Sequence, residues 1–312
     1  MHRRRFIAAS VLAAPALVLG RTHASAAIRT LKIGYQKSAT ALVVLKGKGL
    51  LEHKLRPLGL SVAWNEFPSG PPLLEALNAG AVTLGYTGET PPIFAQAGGT
   101  PFVYLANGPA SPRTEAILVH PKSPIRSVAD LKGRKVAFNK GSNVHWFLLE
   151  ALRKAGLRYA DIQPVYLAPA DAQPAFFSGA VDAWVIWDPF FAAAQAAGAR
   201  VLIDATGLVP NYPFYLVRRD FVAVGAAALT ATIAAVATVE SYIPGHEAEV
   251  AAEVAPLIGI TSAILRVQLA RDTYGIARTS PSVLAQQQEI ADAFYRLRLI
   301  PRPIVVAEDA WS

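Results

Sequence analysis

Three strand-to-helix turns hold the polar groups of this sequence that are placed to do chemistry: Thr87-Gly88-Glu89, Ser142-Asn143 and Trp187-Asp188. In the first, Val82, Leu84 and Tyr86 alternate as a half-buried strand does, and Pro91 and Pro92 suit the opening turn of a helix, where a missing N–H costs nothing. The stretch 85–99 therefore aims backbone N–H groups from a helix N-terminus at open space. Such an end hydrogen-bonds an oxyanion without a lysine or arginine. In the second, Phe138-Asn139-Lys140-Gly141 precedes a helix whose apolar positions Val144, Phe147, Leu148, Ala151, Leu152 and Ala155 follow the helical period, with Gly156 as its stop. With Ser142 as N-cap the third helical position is His145 rather than Glu or Gln, so no capping box takes up the first-turn N–H groups. Ser127-Val128-Ala129-Asp130 does have that spacing and reads as a structural helix start. In the third turn Asp188 reads as an N-cap with Pro189 at the first helical position, and Trp187 is either core or an exposed wall for an organic group.

Covalent chemistry has little to work with. The six histidines are dispersed without metal-ligand spacing, and GxGxxG, Walker A and GxSxG patterns are absent, so neither a metal nor a cofactor is expected. Glu89 and Asp188 are the carboxylates nearest the turns; they could serve as an acid–base pair or, more simply, orient their own helix N-termini. Gly47-Lys48-Gly49 falls where a helix should end and reads as C-capping, not as a phosphate loop.

The elements that would position these turns alternate between strand and helix. Leu31, Ile33 and Tyr35 begin the series, Gln36-Lys37-Ser38 turns into a helix, and Val62 and Trp64 mark a second strand before Phe67-Pro68-Ser69-Gly70-Pro71. Apolar runs recur near Val103 and at 117–119, 136–138, 165–167, 184–187, 201–203 and 215–217, which predicts a largely parallel α/β sheet. Prolines cluster at 109–124, and Gly207, Pro210 and Pro213 precede Phe214. Strands flanked by such breakers suit connectors between two lobes, and the segment between them has the size of a small domain. The reading is a signal segment over 1–26, one lobe from 27–116 with 218–312, and a second from 117–217.

Composition bounds the rest. At 312 residues and 53% hydrophobic the chain can bury a large core, which it needs because it has no cysteine for disulfides. The opening MHRRRFIAASVLAAPALVLGRTHASAA has the basic, apolar and small-residue regions of an export signal cut after Ala26, of either the twin-arginine or the Sec type. Removing Arg3, Arg4, Arg5 and Arg21 with it halves the formal charge of +8, and with no basic run in the body nucleic acid is not an expected partner. No cysteine follows the signal to carry a lipid, so a periplasmic protein is expected. The uncharged stretch 221–239 is long enough to span a bilayer but is alanine- and threonine-rich, and it is expected to be a buried or amphipathic helix.

LKIGYQKS at 31–38, FPSGPPLLEALNAGAVTLGYTGETPPIFAQAGG at 67–99, SPIRSVADLKGRKVAFNKGSNVH at 123–145, DIQPVYLAPADA at 161–172 and VDAWVIWDPFFAAA at 181–194 resemble the periplasmic aliphatic-sulfonate-binding proteins of ABC importers. The resemblance is detailed up to Asp220 and weaker beyond it, although 286–302 is similar to that family's C-terminal helix. It implies a type II periplasmic-binding-protein fold, in which two lobes of mixed sheets and flanking helices are joined by two hinge strands and close on a ligand. It also implies a ligand site of Gln36, Gly70, Thr87, Gly88 and Glu89 on one lobe and Ser142, Asn143, Val144, Trp187 and Asp188 on the other, with Tyr215 beside Trp187 against an alkyl tail. The family often has Asp where this chain has Glu89, which leaves the preferred tail open. The implied role is capture of an alkanesulfonate by a monomer and its delivery to a membrane permease with its ATPase, without enzymatic chemistry. Taurine, sulfate-ester, aromatic-sulfonate or nitrate binding stays open, and a thiamine-pyrimidine-synthase-like enzyme is a remote alternative of the same fold.

Overall fold

The computed structural model describes residues 30–311, so the export signal read over 1–26 lies outside the described residues. Ten strands run in chain order: β1 (Thr30–Tyr35), β2 (Ser61–Glu66), β3 (Leu84–Thr87), β4 (Phe102–Asn107), β5 (Glu115–Val119), β6 (Lys135–Phe138), β7 (Gln163–Tyr166), β8 (Ala183–Trp187), β9 (Arg200–Asp204) and β10 (Phe214–Arg218). Each apolar run of the sequence becomes one of them. They form two five-stranded sheets, ordered β2-β1-β3-β10-β4 and β7-β6-β8-β5-β9.

The sheets are mixed, as the resemblance implies, and not largely parallel as the alternation of strands and helices alone predicts. In the first, β1 is parallel to β2 and β3 while β10 is antiparallel to β3 and β4. In the second, β6 is parallel to β7 and β8 while β5 is antiparallel to β8 and β9. The cause is the crossing of the chain between lobes: β5 and β10 are the strands that follow each crossing, and each inserts against the direction of its new neighbours. The crossings themselves, 108–114 and 205–213, are tied together. Gly108 N–H donates to Pro213 O (2.9 Å), Ser111 N–H to Pro210 O (3.0 Å), and Asn211 Nδ2 to Thr114 Oγ1 (2.9 Å). Asn211 sits at φ 53°, a left-handed conformation that asparagine tolerates better than most residues.

Helices cover the sheets where their apolar faces predict. The long helix Arg219–Tyr242 is apolar enough to pass for a membrane span by composition. Its packing is that of an amphipathic core helix: Phe221, Gly225, Ala228, Leu229, Thr232, Ala235, Val236 and Val239 are buried, while Val224 is 66% exposed. Across the gap between the lobes, Phe94 and Phe294 of the first meet His145 and Trp146 of the second. Phe294 lies 5.1 Å from Phe94, 5.1 Å from His145 and 6.2 Å from Trp146, ring centre to ring centre, so one apolar cluster runs through both lobes.

Candidate functional site

The strand-to-helix turns of the two lobes converge on one cavity of about 90 Å³. Gln36, Gly70, Thr87, Gly88, Ser142, Asn143, Trp187, Asp188 and Tyr215 line it. The local sequence explains their positions. The helix Thr90–Ala97 opens with Pro91 and Pro92 as expected, and Ser142 is the N-cap of Asn143–Lys154. Among the described residues, no turn hydrogen bond takes the N–H of Gly88, Asn143 or Val144. Asn143 and Val144 open their helix and carry the orphan donors that a helix N-terminus offers to an anion, while Gly88 lies just before the N-cap Glu89 of its own.

Close approach makes two glycines necessary here. A Cβ on Gly70 would lie 2.2 Å from Thr87 Oγ1, and one on Gly88 would lie 1.8 Å from Asn143 Nδ2. The second contact joins the lobes. Thr87 Oγ1 is fully buried and has no partner among the described residues. Ser142 Oγ donates to Asn139 O (2.7 Å), Asn143 Nδ2 to Asn211 Oδ1 (2.5 Å), and Gln36 Nε2 to Tyr86 O (3.2 Å). Trp187 is half-buried, with one part in the core and one on the cavity, and Tyr215 packs edge-on against Tyr86 at 5.3 Å.

Two of the expected side chains stay off the cavity. Val144 is fully buried in the core of its lobe, leaving only its backbone N–H at the helix end. Glu89 is also fully buried and turns toward the crossing, where its Oε2 accepts from Tyr212 N–H (3.0 Å) and its carbonyl from the Gln287 amide. Burial pushes its carboxyl up to about 8 against the lowering effect of the Tyr212 and Asn211 backbone donors.

Asp188 departs from its expected role by one residue. Pro189 is the cap and the helix begins at Phe190, yet Asp188 Oδ1 still accepts from Ala192 N–H (2.9 Å). The sequence did not suggest its second partner. Arg271 Nη1 sits 3.1 Å from both Asp188 oxygens, and its guanidinium lies 3.7 Å from the centre of the Phe191 ring and also bonds Gln195. Burial raises Asp188 to about 6, with Arg271 opposing the rise. Ser111, Thr114, Asn211, Glu240, Gln268 and Asp272 also line the cavity and were not singled out. Ser111 and Thr114, inside the proline-rich 109–124, and Asn211, inside the breaker-rich 207–213, lay near signals that could have found them.

Residues 56–238 match the family model described as NMT1/THI5 like. A protein of Escherichia coli (strain K12) named "Putative aliphatic sulfonates-binding protein" is 43% identical over 284 residues, covering 90% of this chain and 88% of its own length. The crystal structure of the periplasmic aliphatic sulphonate binding protein SsuA from Escherichia coli superposes with a TM-score of 0.84 at 42% identity, covering 91% of this chain and 92% of that one. The alkanesulfonate-binding protein SsuA from Xanthomonas axonopodis pv. citri, bound to MOPS, gives 0.87 at 39% identity over 91% and 98% of the two chains. Its two-lobed architecture, the cleft between the lobes and these similarities agree: the chain belongs to the NMT1/THI5-like family and, within it, to the group of bilobed solute-binding proteins that contains the SsuA proteins.

Proposed function

We propose that this chain is the periplasmic solute-binding component of an ABC importer and captures alkanesulfonates in the cleft between its lobes. The observation that carries this reading is a cavity faced by helix N-termini from both lobes, with no lysine, arginine or histidine among its described lining residues. A sulfonate is a fully ionised oxyanion with three acceptor oxygens. The N–H groups of Gly88, Asn143 and Val144, with the side chains of Gln36, Thr87 and Asn143, supply donors, Ser142 adds one when its hydroxyl turns from Asn139 O to the ligand, and Gly70 gives Thr87 room. Trp187 and Tyr215 take the tail.

Closure follows from the division of the donors. Taking lobe 1 as the sheet with β1–β4 and β10 and lobe 2 as that with β5–β9 moves the expected bounds at 116 and 217 back to the crossings, because Glu115 begins a strand of the second sheet and Phe214 one of the first. Each lobe holds part of the set, so only the closed form satisfies all three oxygens. Charge-assisted hydrogen bonds of about 1.5–3 kcal/mol each give that form the differential affinity a population shift requires. The closed monomer then presents its ligand to the membrane permease. As in its 43%-identical relative, the role is binding and not catalysis.

A thermal-shift panel tests the reading. Alkanesulfonates are expected to raise the melting temperature while sulfate and nitrate do not, since a ligand confined to the native state stabilises it by mass action. Stabilisation by the inorganic anions alone would refute the tail-binding role of Trp187 and Tyr215.

A further inference from the structure

A second set of side chains lines the same cavity and has no use in binding an anion. Glu240, at the end of the long helix, and Asp272 are cavity-lining carboxylates that form no ion pair among the described residues. Their hydrogen bonds are long: Gly275 N–H reaches Glu240 Oε2 at 3.3 Å, and Gln268 Nε2 reaches Asp272 Oδ2 at 3.3 Å. The third lining carboxylate, Asp188, differs in having Arg271 against it. Gln268 is 1% exposed, and its amide nitrogen is taken up by Ser38 O, Thr40 Oγ1 and Asp272. Its amide oxygen is buried and has no partner among the described residues. The rings of Tyr86, Tyr215 and Tyr274 complete this part of the lining, and the Tyr274 hydroxyl is turned away to donate to Leu269 O (2.6 Å). Two carboxylates without a cation, a glutamine and three electron-rich rings thus share one part of the lining, apart from the N–H donors of the helix ends.

Two carboxylates without a cation offer a purely anionic ligand nothing and repel it whenever they are ionised. They become an asset when the ligand brings its own cation. Carboxylates and tyrosine faces are the groups that hold an ammonium, by charge-assisted hydrogen bonds and by attraction to the ring quadrupole. Burial and neighbouring carboxylates hold Asp272 well above the usual range, and burial brings Glu240 to about 7, as expected of a pair awaiting a positive partner.

The geometry points to a zwitterionic ligand class: short sulfonates bearing an ammonium group, with Glu240 and Asp272 as the cation subsite and Gln268 as a further acceptor. This rests on the sulfonate reading of the cleft and narrows it.

The test compares two ligands of equal size, 3-aminopropane-1-sulfonate and butane-1-sulfonate, by calorimetry in a buffer free of sulfonates. The wild-type protein is expected to bind the amino compound at least about tenfold tighter, the scale of one charge-assisted hydrogen bond. Glu240→Gln and Asp272→Asn are each expected to shrink that preference and to strengthen butane-1-sulfonate binding several-fold by removing repulsion. Equal binding of the two ligands by the wild-type protein, which requires no variant to fold, overturns the proposal. So does a preference that survives both substitutions. Failure of both ligands to bind instead overturns the sulfonate reading itself.

Discussion

Glu89→Gln should flatten the dependence of stability on pH. The Glu89 carboxyl is fully buried, has Tyr212 N–H as a donor and has no cation beside it; burial raises it from 4.5 to about 8. Glu115 is buried near it and is held well above the carboxylate range by burial and by Glu89. The folded protein therefore binds more protons than the unfolded chain between pH 4.5 and about 8. The stabilising contribution is complete below the lower value and is lost as pH rises through the upper one. At about 1.4 kcal/mol per unit the whole shift amounts to about 5 kcal/mol. The pair shares its protons, so about 2–5 kcal/mol is the range to expect. Glutamine keeps an acceptor for Tyr212 and has nothing to titrate. Urea unfolding near pH 5 should give variant and wild-type midpoints close together, and near pH 8 the variant should be the more stable by that amount. Parallel curves for the two proteins would refute the argument, because they would mean that Glu89 titrates alike in the folded and unfolded states.

Three other outcomes follow from the cleft. Arg271→Leu leaves Asp188 buried without its cation, and urea unfolding near pH 7 should show the protein destabilised by about 3–5 kcal/mol, the cost of breaking a buried pair. Gly88→Ala places a methyl group against Asn143 and should oppose closure; scattering in the presence of a saturating sulfonate should then report a more open particle than the wild type. Trp187→Ala should reduce affinity for longer tails by about tenfold and leave methanesulfonate nearly unaffected, read by the same thermal-shift panel.

The strands were legible because each is a short apolar run between breakers, and the turns because glycine, proline and serine announce them. Direction was less so. Nothing in 115–119 or 214–218 says that these strands run against their neighbours, since that is decided by partners distant in the chain. Spacing also identified Thr87-Gly88-Glu89 as a turn at the cleft without telling which way each side chain leaves it. Thr87 and Gly88 face the cavity while Glu89, one residue on, faces the crossing. Val144 was lost to the core for a related reason: it is an apolar residue on the buried face of a helix whose backbone end is the useful part. Arg271, Gln268 and Asp272 were beyond reach, because they lie past residue 220, where the resemblance fades and no local pattern marks them.

The hydrogen bonds that tie the two crossings together have a mechanical consequence. Two separate connectors would act as two joints, allowing twist and shear as well as opening. Bound to each other through Gly108, Ser111, Thr114 and Asn211, they act as a single axle. The lobes then have essentially one coordinate of travel, and one distance across the mouth suffices to follow the whole movement.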